Sequence, residues 1–131
     1  MVGLLIVSHS LQLANGVKEF VEQVAGNKAN IAAAGGTADG DIGTSVERIQ
    51  AALSEVESSE GTLVLVDLGG AVLSVEMAIE SLGKTDVIIS DAPLVEGAYL
   101  AALEAAAGST LQETAAAALQ ARALVKVHNE R

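Results

Sequence analysis

The sequence predicts an α/β fold, a doubly wound and mainly parallel five-stranded sheet with helices on both faces. Three observations carry that prediction. Short apolar runs of strand length alternate with longer segments whose apolar residues recur every three or four positions. The runs over residues 2–7 and 61–66 are apolar at nearly every position, as in strands buried on both faces. Gly, Asn, Asp or Pro punctuates most of the boundaries.

Residues 2–7 form the first strand. Leu13, Val17, Phe20, Val21 and Val24 then mark one helix face, opened by Ser10 as N-cap and closed at Gly26-Asn27. Residues 30–34 make a second strand, and residues 35–43 a glycine-rich loop. Thr44 or Ser45 caps the next helix, with Val46, Ile49, Leu53 and Val56 on its inner face. Residues 61–66 are the third strand, followed by Asp67-Leu68-Gly69-Gly70 and a helix over 71–82. Residues 86–90 give a fourth strand, Asp91-Ala92-Pro93 a loop, and 94–107 a helix. Gly108-Ser109-Thr110 breaks that helix and caps another over 111–121. Leu103, Leu111, Leu119 and Leu124 punctuate this Ala-rich stretch, which reads as packed helices. Residues 122–127 are expected to form the last strand, antiparallel at the sheet edge. The strand order expected of such a fold is 2-1-3-4-5. No linker or internal repeat divides the chain, so residues 1–131 read as one domain.

Composition narrows the function. The chain has 131 residues, enough for one full core. Half are apolar but only 2% aromatic, namely Phe20 and Tyr99; 24 alanines let elements pack closely. Seven basic against 17 acidic residues give a net charge of −10. That argues against a nucleic-acid binder, as does the lack of rings for base stacking. Without Cys there are no disulfides, thiolate nucleophiles or Cys-based zinc sites. Two His residues argue against a His-rich metal centre, so no metal is expected. No apolar stretch reaches the roughly 18 to 20 residues of a membrane helix. The N-terminal run lacks the basic lead-in of a signal peptide. The expectation is a cytoplasmic protein without a membrane partner.

In this fold, reactive groups collect at the carboxyl ends of the strands, near the switch between strands 1 and 3. Strand 1 ends at Ser8-His9-Ser10, strand 2 at Gly35-Gly36-Thr37 and strand 3 at Asp67. Strand 1 lies between the other two, so His9 is expected between the glycine loop and Asp67. A carboxylate that accepts one imidazole N–H fixes the tautomer and frees the other nitrogen. If Asp67 holds Nδ1–H, Nε2 is the nucleophile. Gly-rich backbone and helix N-termini around it suit a phosphoryl group, so phosphohistidine is the natural candidate. The bland readings are a loop histidine, and an aspartate that merely starts a turn or caps a helix. The loop over 35–43 lacks the Lys of a P-loop and the glycine spacing of a dinucleotide site. His128 reads as a surface histidine.

Four segments together carry a resemblance: GLLIVSHS from Gly3, AGGTADGDIGTS from Ala34, GTLVLVDLGGA from Gly61 and APLVEGA from Ala92. Through them nearly the whole chain resembles the mannose-type enzyme IIA domains of the bacterial phosphotransferase system. Gly43-Thr44-Ser45 and Pro93-Leu94-Val95-Glu96-Gly97 favour the branch that serves phosphoenolpyruvate-dependent dihydroxyacetone kinases. The resemblance implies the same doubly wound sheet, a phosphorylated histidine at His9 and a partner carboxylate at Asp67. It implies a relay in which the phosphocarrier protein HPr, charged through enzyme I, phosphorylates His9. His9 then passes the group to ADP in the nucleotide-binding kinase subunit. No cofactor is expected beyond the phosphoryl group itself. The Gly69 and Gly70 amides would hold phosphoryl oxygens. Ser10, Gly36, Thr37, Gly43, Thr44 and Ser45 would shape the rim that meets partners. No HPr-like or enzyme I-like segment follows before Arg131, so separate donors are expected. Family domains are commonly homodimers, and residues 123–127 are the candidate contact.

Three rivals stand beside this reading: the enzyme IIA of a mannose-family sugar transporter, a response-regulator receiver, and a non-catalytic binding module. The receiver needs an acidic cluster after strand 1, where this chain has Ser8-His9-Ser10.

Overall fold

The structure, a computed structural model, describes residues 1–26 and 29–128. Four strands form one parallel sheet in the order β2-β1-β3-β4: β1 (Gly3–Ser8), β2 (Ile31–Gly35), β3 (Thr62–Val66) and β4 (Val87–Ile89). The helices are α1 (Leu11–Ala25), α2 (Val46–Glu55), α3 (Gly70–Leu82), α4 (Leu94–Ala106) and α5 (Leu111–Leu119).

Strand alternation divides the core into two layers. Leu4, Ile6, Leu63 and Leu65 face α1, α4 and α5; Leu5, Val7, Val64 and Val66 face α2 and α3. Both faces are thus covered, which is why β1 and β3 read as unbroken apolar runs. On the first face α4 contributes mainly alanine. Ala98, Ala101, Ala102, Ala105 and Ala118 are all buried. Only Leu111 of the four punctuating leucines joins them; Leu103, Leu119 and Leu124 are exposed. On α1, Ala14, Val17 and Val21 carry the burial, while Leu13 and Phe20 stay outside. The Phe20 ring stacks instead on Tyr99 of α4, with centroids 6.1 Å apart.

Capping follows the sequence closely. Ser10 opens α1 and Ser45 opens α2, each accepting from the amide three residues on. Thr110 and Glu113 form a capping box at α5. Gly26 closes α1 through Glu22 O, and Asn27 lies outside the described residues.

The expected fifth strand is corrected. A 3₁₀ turn over Gln120–Ala123 takes up its start, and residues 124–128 have no strand structure. The cause is local. Ala121 is buried, so the turn is held against the body. Within it Arg122 pairs with Asp91, and beyond it Lys126 pairs with Glu96 of α4. The segment therefore crosses the start of α4 rather than running along β4. No described helix is long and apolar enough to cross a membrane.

Candidate active site

The parallel register sets the site. Val7 pairs with Val66, and the Asp67 amide continues the ladder by donating to Val7 O at 3.2 Å. One residue beyond these strand ends, His9 and Asp67 stand side by side. His9 Nδ1 lies 3.0 Å from Asp67 Oδ1. The Asp67 carboxylate is held from four directions. Oδ2 accepts from the His9 amide and from Ser8 Oγ, both at 2.9 Å. Oδ1 accepts from the Leu68 amide at 2.7 Å and faces the imidazole.

Burial pushes the Asp67 carboxyl up, but the donors from His9, Ser8 and Leu68 outweigh it and hold it below its ordinary value. Asp67 is thus ionised near neutrality and can only accept. The hydrogen between it and His9 must therefore sit on Nδ1. In the neutral ring this leaves the lone pair on Nε2. That nitrogen faces Gly70: a Cβ there would lie 3.3 Å from Nε2. The absence of a side chain keeps space open beside the free nitrogen.

The other sequence candidates divide into groups. Gly69 precedes α3 and Gly70 begins it. Ala71 N donates to Leu68 O and Val72 N to Gly69 O. Among the described residues, the Gly69 and Gly70 amides make no hydrogen bond within the protein. Gly43 brings its loop to the site by donating to His9 O at 2.9 Å. Gly36, at φ 72°, turns the chain after β2. Thr37 braces the loop tip through Asp41, donating its amide to Asp41 O and accepting from Asp41 N at Oγ1. Thr44 Oγ1 lies 2.7 Å from Ser74 Oγ, which ties the loop to α3. Ser10 and Ser45 spend their hydroxyl oxygens on helix caps.

Two features were not read from the sequence. Ser8 touches Asp67 directly; a polar residue ending an apolar strand was the available signal. A cleft of about 510 Å³ opens beside Asp67, lined by Leu68, Gly69, Val72, Pro93 and Arg122 among others. Arg122 arrives there through the 3₁₀ turn, which periodicity does not announce. No group of three or more metal-ligating side chains occurs among the described residues.

Comparison with known proteins places the chain in a family. The family model described as PTS system fructose IIA component (EIIA-man) matches residues 3–116. The chain is similar to the PEP-dependent dihydroxyacetone kinase 2, phosphoryl donor subunit DhaM, of Listeria innocua. They are 38% identical over 109 residues, covering 79% of this chain and 86% of the relative. It is equally similar to the PTS-dependent dihydroxyacetone kinase, phosphotransferase subunit DhaM, of Lactococcus lactis. That match is 38% identical over 110 residues, covering 84% and 87%. A crystal structure of a protein of unknown function, EF1359, superposes with a TM-score of 0.81 at 37% identity. It covers 92% of this chain and 95% of the other.

Proposed function

The chain belongs to the PTS system fructose IIA component family, and from that premise we propose that it carries its phosphoryl group on His9. It is a phosphotransfer protein, the phosphoryl donor subunit of a dihydroxyacetone kinase system. Both relatives named above are subunits of such kinases, one a phosphoryl donor subunit and the other a phosphotransferase subunit, which favours this role over a sugar transporter's enzyme IIA.

The observation that carries the phosphohistidine is the orientation of His9. Nδ1–H is committed to Asp67, and Nε2 faces the open space at Gly70. In the proposed step, Nε2 attacks the phosphorus of phospho-HPr in line. The donor's bond to phosphorus breaks as the P–Nε2 bond forms. The ring gains cationic character, and the Asp67 carboxylate stabilises it without taking the proton. The free Gly69 and Gly70 amides at the start of α3 meet the phosphoryl oxygens. In the second step an oxygen of the terminal phosphate of ADP, held in the nucleotide-binding kinase subunit, attacks. The P–Nε2 bond breaks and ATP forms. Positioning and electrostatics supply most of the catalysis in such transfers. The scheme uses no metal on this subunit and no cofactor beyond the covalent phosphoryl group.

Leu68, beside Asp67, and Ile42, beside Gly43, are 66% and 75% exposed. They offer apolar contacts around His9 for HPr and the kinase subunit in turn. Thr37, Thr44 and Ser45 hold the loop that frames this surface. The reading treats residues 1–131 as one cytoplasmic domain. It also carries a homodimer, for which exposed Leu124, Val125 and Val127 supply apolar surface.

The test is labelling from phosphoenolpyruvate with enzyme I and HPr, then a chase with ADP and the kinase subunit. Wild type is expected to take up acid-labile, base-stable label and to pass it to ADP. A His9→Ala protein that still took up label would sink the assignment. Base-labile label would point to an acyl phosphate instead.

A further inference from the structure

We propose that Ser8 is a positioning residue for this phosphotransfer, its hydroxyl fixing the Asp67 carboxylate and, through it, the tautomer and orientation of the His9 ring. The inference rests on the reading of His9 as the phosphoryl carrier. Ser8 is the last residue of β1 and is completely buried, the one polar side chain in a strand otherwise made of Gly, Leu, Ile and Val. Its neighbour across the sheet is Gly35. A buried hydroxyl in such a place is costly unless both its donor and acceptor capacities are used.

Both are used. Ser8 Oγ accepts from the Ser10 amide at 3.0 Å and donates to Asp67 Oδ2 at 2.9 Å. A hydroxyl has one hydrogen, and an amide can only donate, so that hydrogen is directed at the carboxylate. Ser8 thereby joins three elements at one oxygen: the end of β1, the cap of α1 and the acid after β3.

Holding the carboxylate requires more than one contact because the terminal torsion of an Asp side chain is soft. The His9 and Leu68 amides fix the two oxygens from the loop side. Without Ser8, Oδ2 keeps a single donor, and the carboxylate plane can tip away from Nδ1. A tipped carboxylate accepts poorly from Nδ1–H. The Nε2–H tautomer, which has no lone pair on Nε2, then gains population. Removing the outer partner of a metal-bound histidine costs about 10- to 100-fold, and the lower end of that range is expected for this metal-free pair.

The experiment is a graded series, Ser8→Thr, Ser8→Cys and Ser8→Ala, in the full chain. Two quantities are read: the ¹⁵N-resolved tautomer populations of His9, and the rate of phosphorylation by HPr. Thr keeps the donor, Cys weakens it and Ala removes it. The expected result is near wild-type behaviour for Ser8→Thr. Ser8→Ala should fold with a raised Nε2–H population and about tenfold slower transfer, and Ser8→Cys should fall between. Should one variant fail to fold, the remaining two give the same ordering. Folded Ser8→Ala or Ser8→Cys protein with wild-type tautomer populations and rate would overturn the proposal. So would a folded Ser8→Thr protein as impaired as Ser8→Ala. The tautomer measurement needs no phosphoryl donor. If wild type took up no label, the carrier reading would fail on that result alone, while the ¹⁵N data would still decide whether Ser8 positions His9.

Discussion

His9 turns one nitrogen toward a carboxylate and the other toward a residue with no side chain, and both neighbours can be changed by a few atoms. In Asp67→Asn the shape is kept and the charge is lost. The amide can present either a donor or an acceptor to Nδ1, so the tautomer is no longer dictated, and cationic character on the ring is no longer balanced. Transfer from HPr should slow by about 10²-fold or more, with far-UV dichroism unchanged; wild-type rates would remove Asp67 from the mechanism. The same residue makes stability depend on acid. Its folded value lies below the ordinary 3.8, so the stabilisation is fully present above that value and fades as pH falls through the folded one. The difference in urea midpoint between wild type and Asp67→Asn should shrink as pH falls below about pH 4. A difference that grew as pH fell below about 4 would contradict the direction of the shift. Gly70→Ala separates stability from function. The first turn of a helix tolerates Ala well, so stability should hold or rise by up to about 1 kcal/mol. The new Cβ at 3.3 Å from Nε2 takes the space that the proposed step gives to the phosphoryl group. Label uptake should fall by up to about 10²-fold, as misplacement of reacting groups does, while the melting temperature does not drop. Uptake at the wild-type rate would show that the open side of His9 lies elsewhere.

At the scale of elements, the site depends on how closely α1 approaches the end of β2. A Cβ on Gly35 would lie 2.7 Å from Ser10 O and 2.9 Å from Leu11 Cα, both backbone atoms with no rotamer to yield. Gly35→Ala must push the start of α1 away from the sheet, at a cost of about 1–3 kcal/mol. The urea midpoint should fall with an unchanged slope, and His9, one residue before the α1 cap, should react more slowly. A fully stable Gly35→Ala protein would mean that this contact gives way more easily than its distances indicate. The legible elements were those with one dominant local cause. β1 and β3 announce themselves by burial on both faces, α2 by a cap at Thr44 or Ser45, and α5 by the break at Gly108-Ser109-Thr110. His9 and Asp67 were legible because both stand just past such strands, where sheet order alone brings them together. The last strand was not, because Leu124, Val125 and Val127 make a strand-like pattern whose fate is settled elsewhere. Buried Ala121 and the Lys126–Glu96 pair draw it over α4. Ser8 was overlooked for a related reason: a serine beside a histidine has no signature until the third residue, 59 positions on, is placed against it. Leu103 and Leu119 face outward because α4 turns Leu94 and its alanines inward, and α5 turns Leu111, Thr114 and Ala118 inward.

For the whole molecule the governing quantity is charge. The chain carries −10, and exposed Asp39 and Asp41 sit in the loop whose Gly43 is bonded to His9. Arg122, at the cleft beside Asp67, is paired with Asp91, and Arg48 reaches back to Ala38 O. The surroundings of the reacting nitrogen thus lean toward the negative. A relay of the proposed kind meets its partners briefly and must release them, so encounter rate matters more than residence. Long-range attraction raises encounter without deepening the bound state, provided the partner presents a basic face. Salt removes that attraction, because the Debye length contracts from about 10 Å at 0.1 M to about 3 Å at 1 M. The second-order rate of phosphorylation by HPr should therefore fall by about tenfold between roughly 0.02 and 0.5 M salt. The rate at saturating donor should change far less, since the bonds at His9 and Asp67 are short and partly buried. Replacing Asp39 and Asp41 together by Asn should lower the rate at low salt and flatten its dependence, with the urea midpoint kept. Both effects are read in one stopped-flow titration. A wild-type second-order rate indifferent to salt would leave the charge without a part in the encounter, and the apolar surface at Leu68 and Ile42 would have to account for recognition by itself.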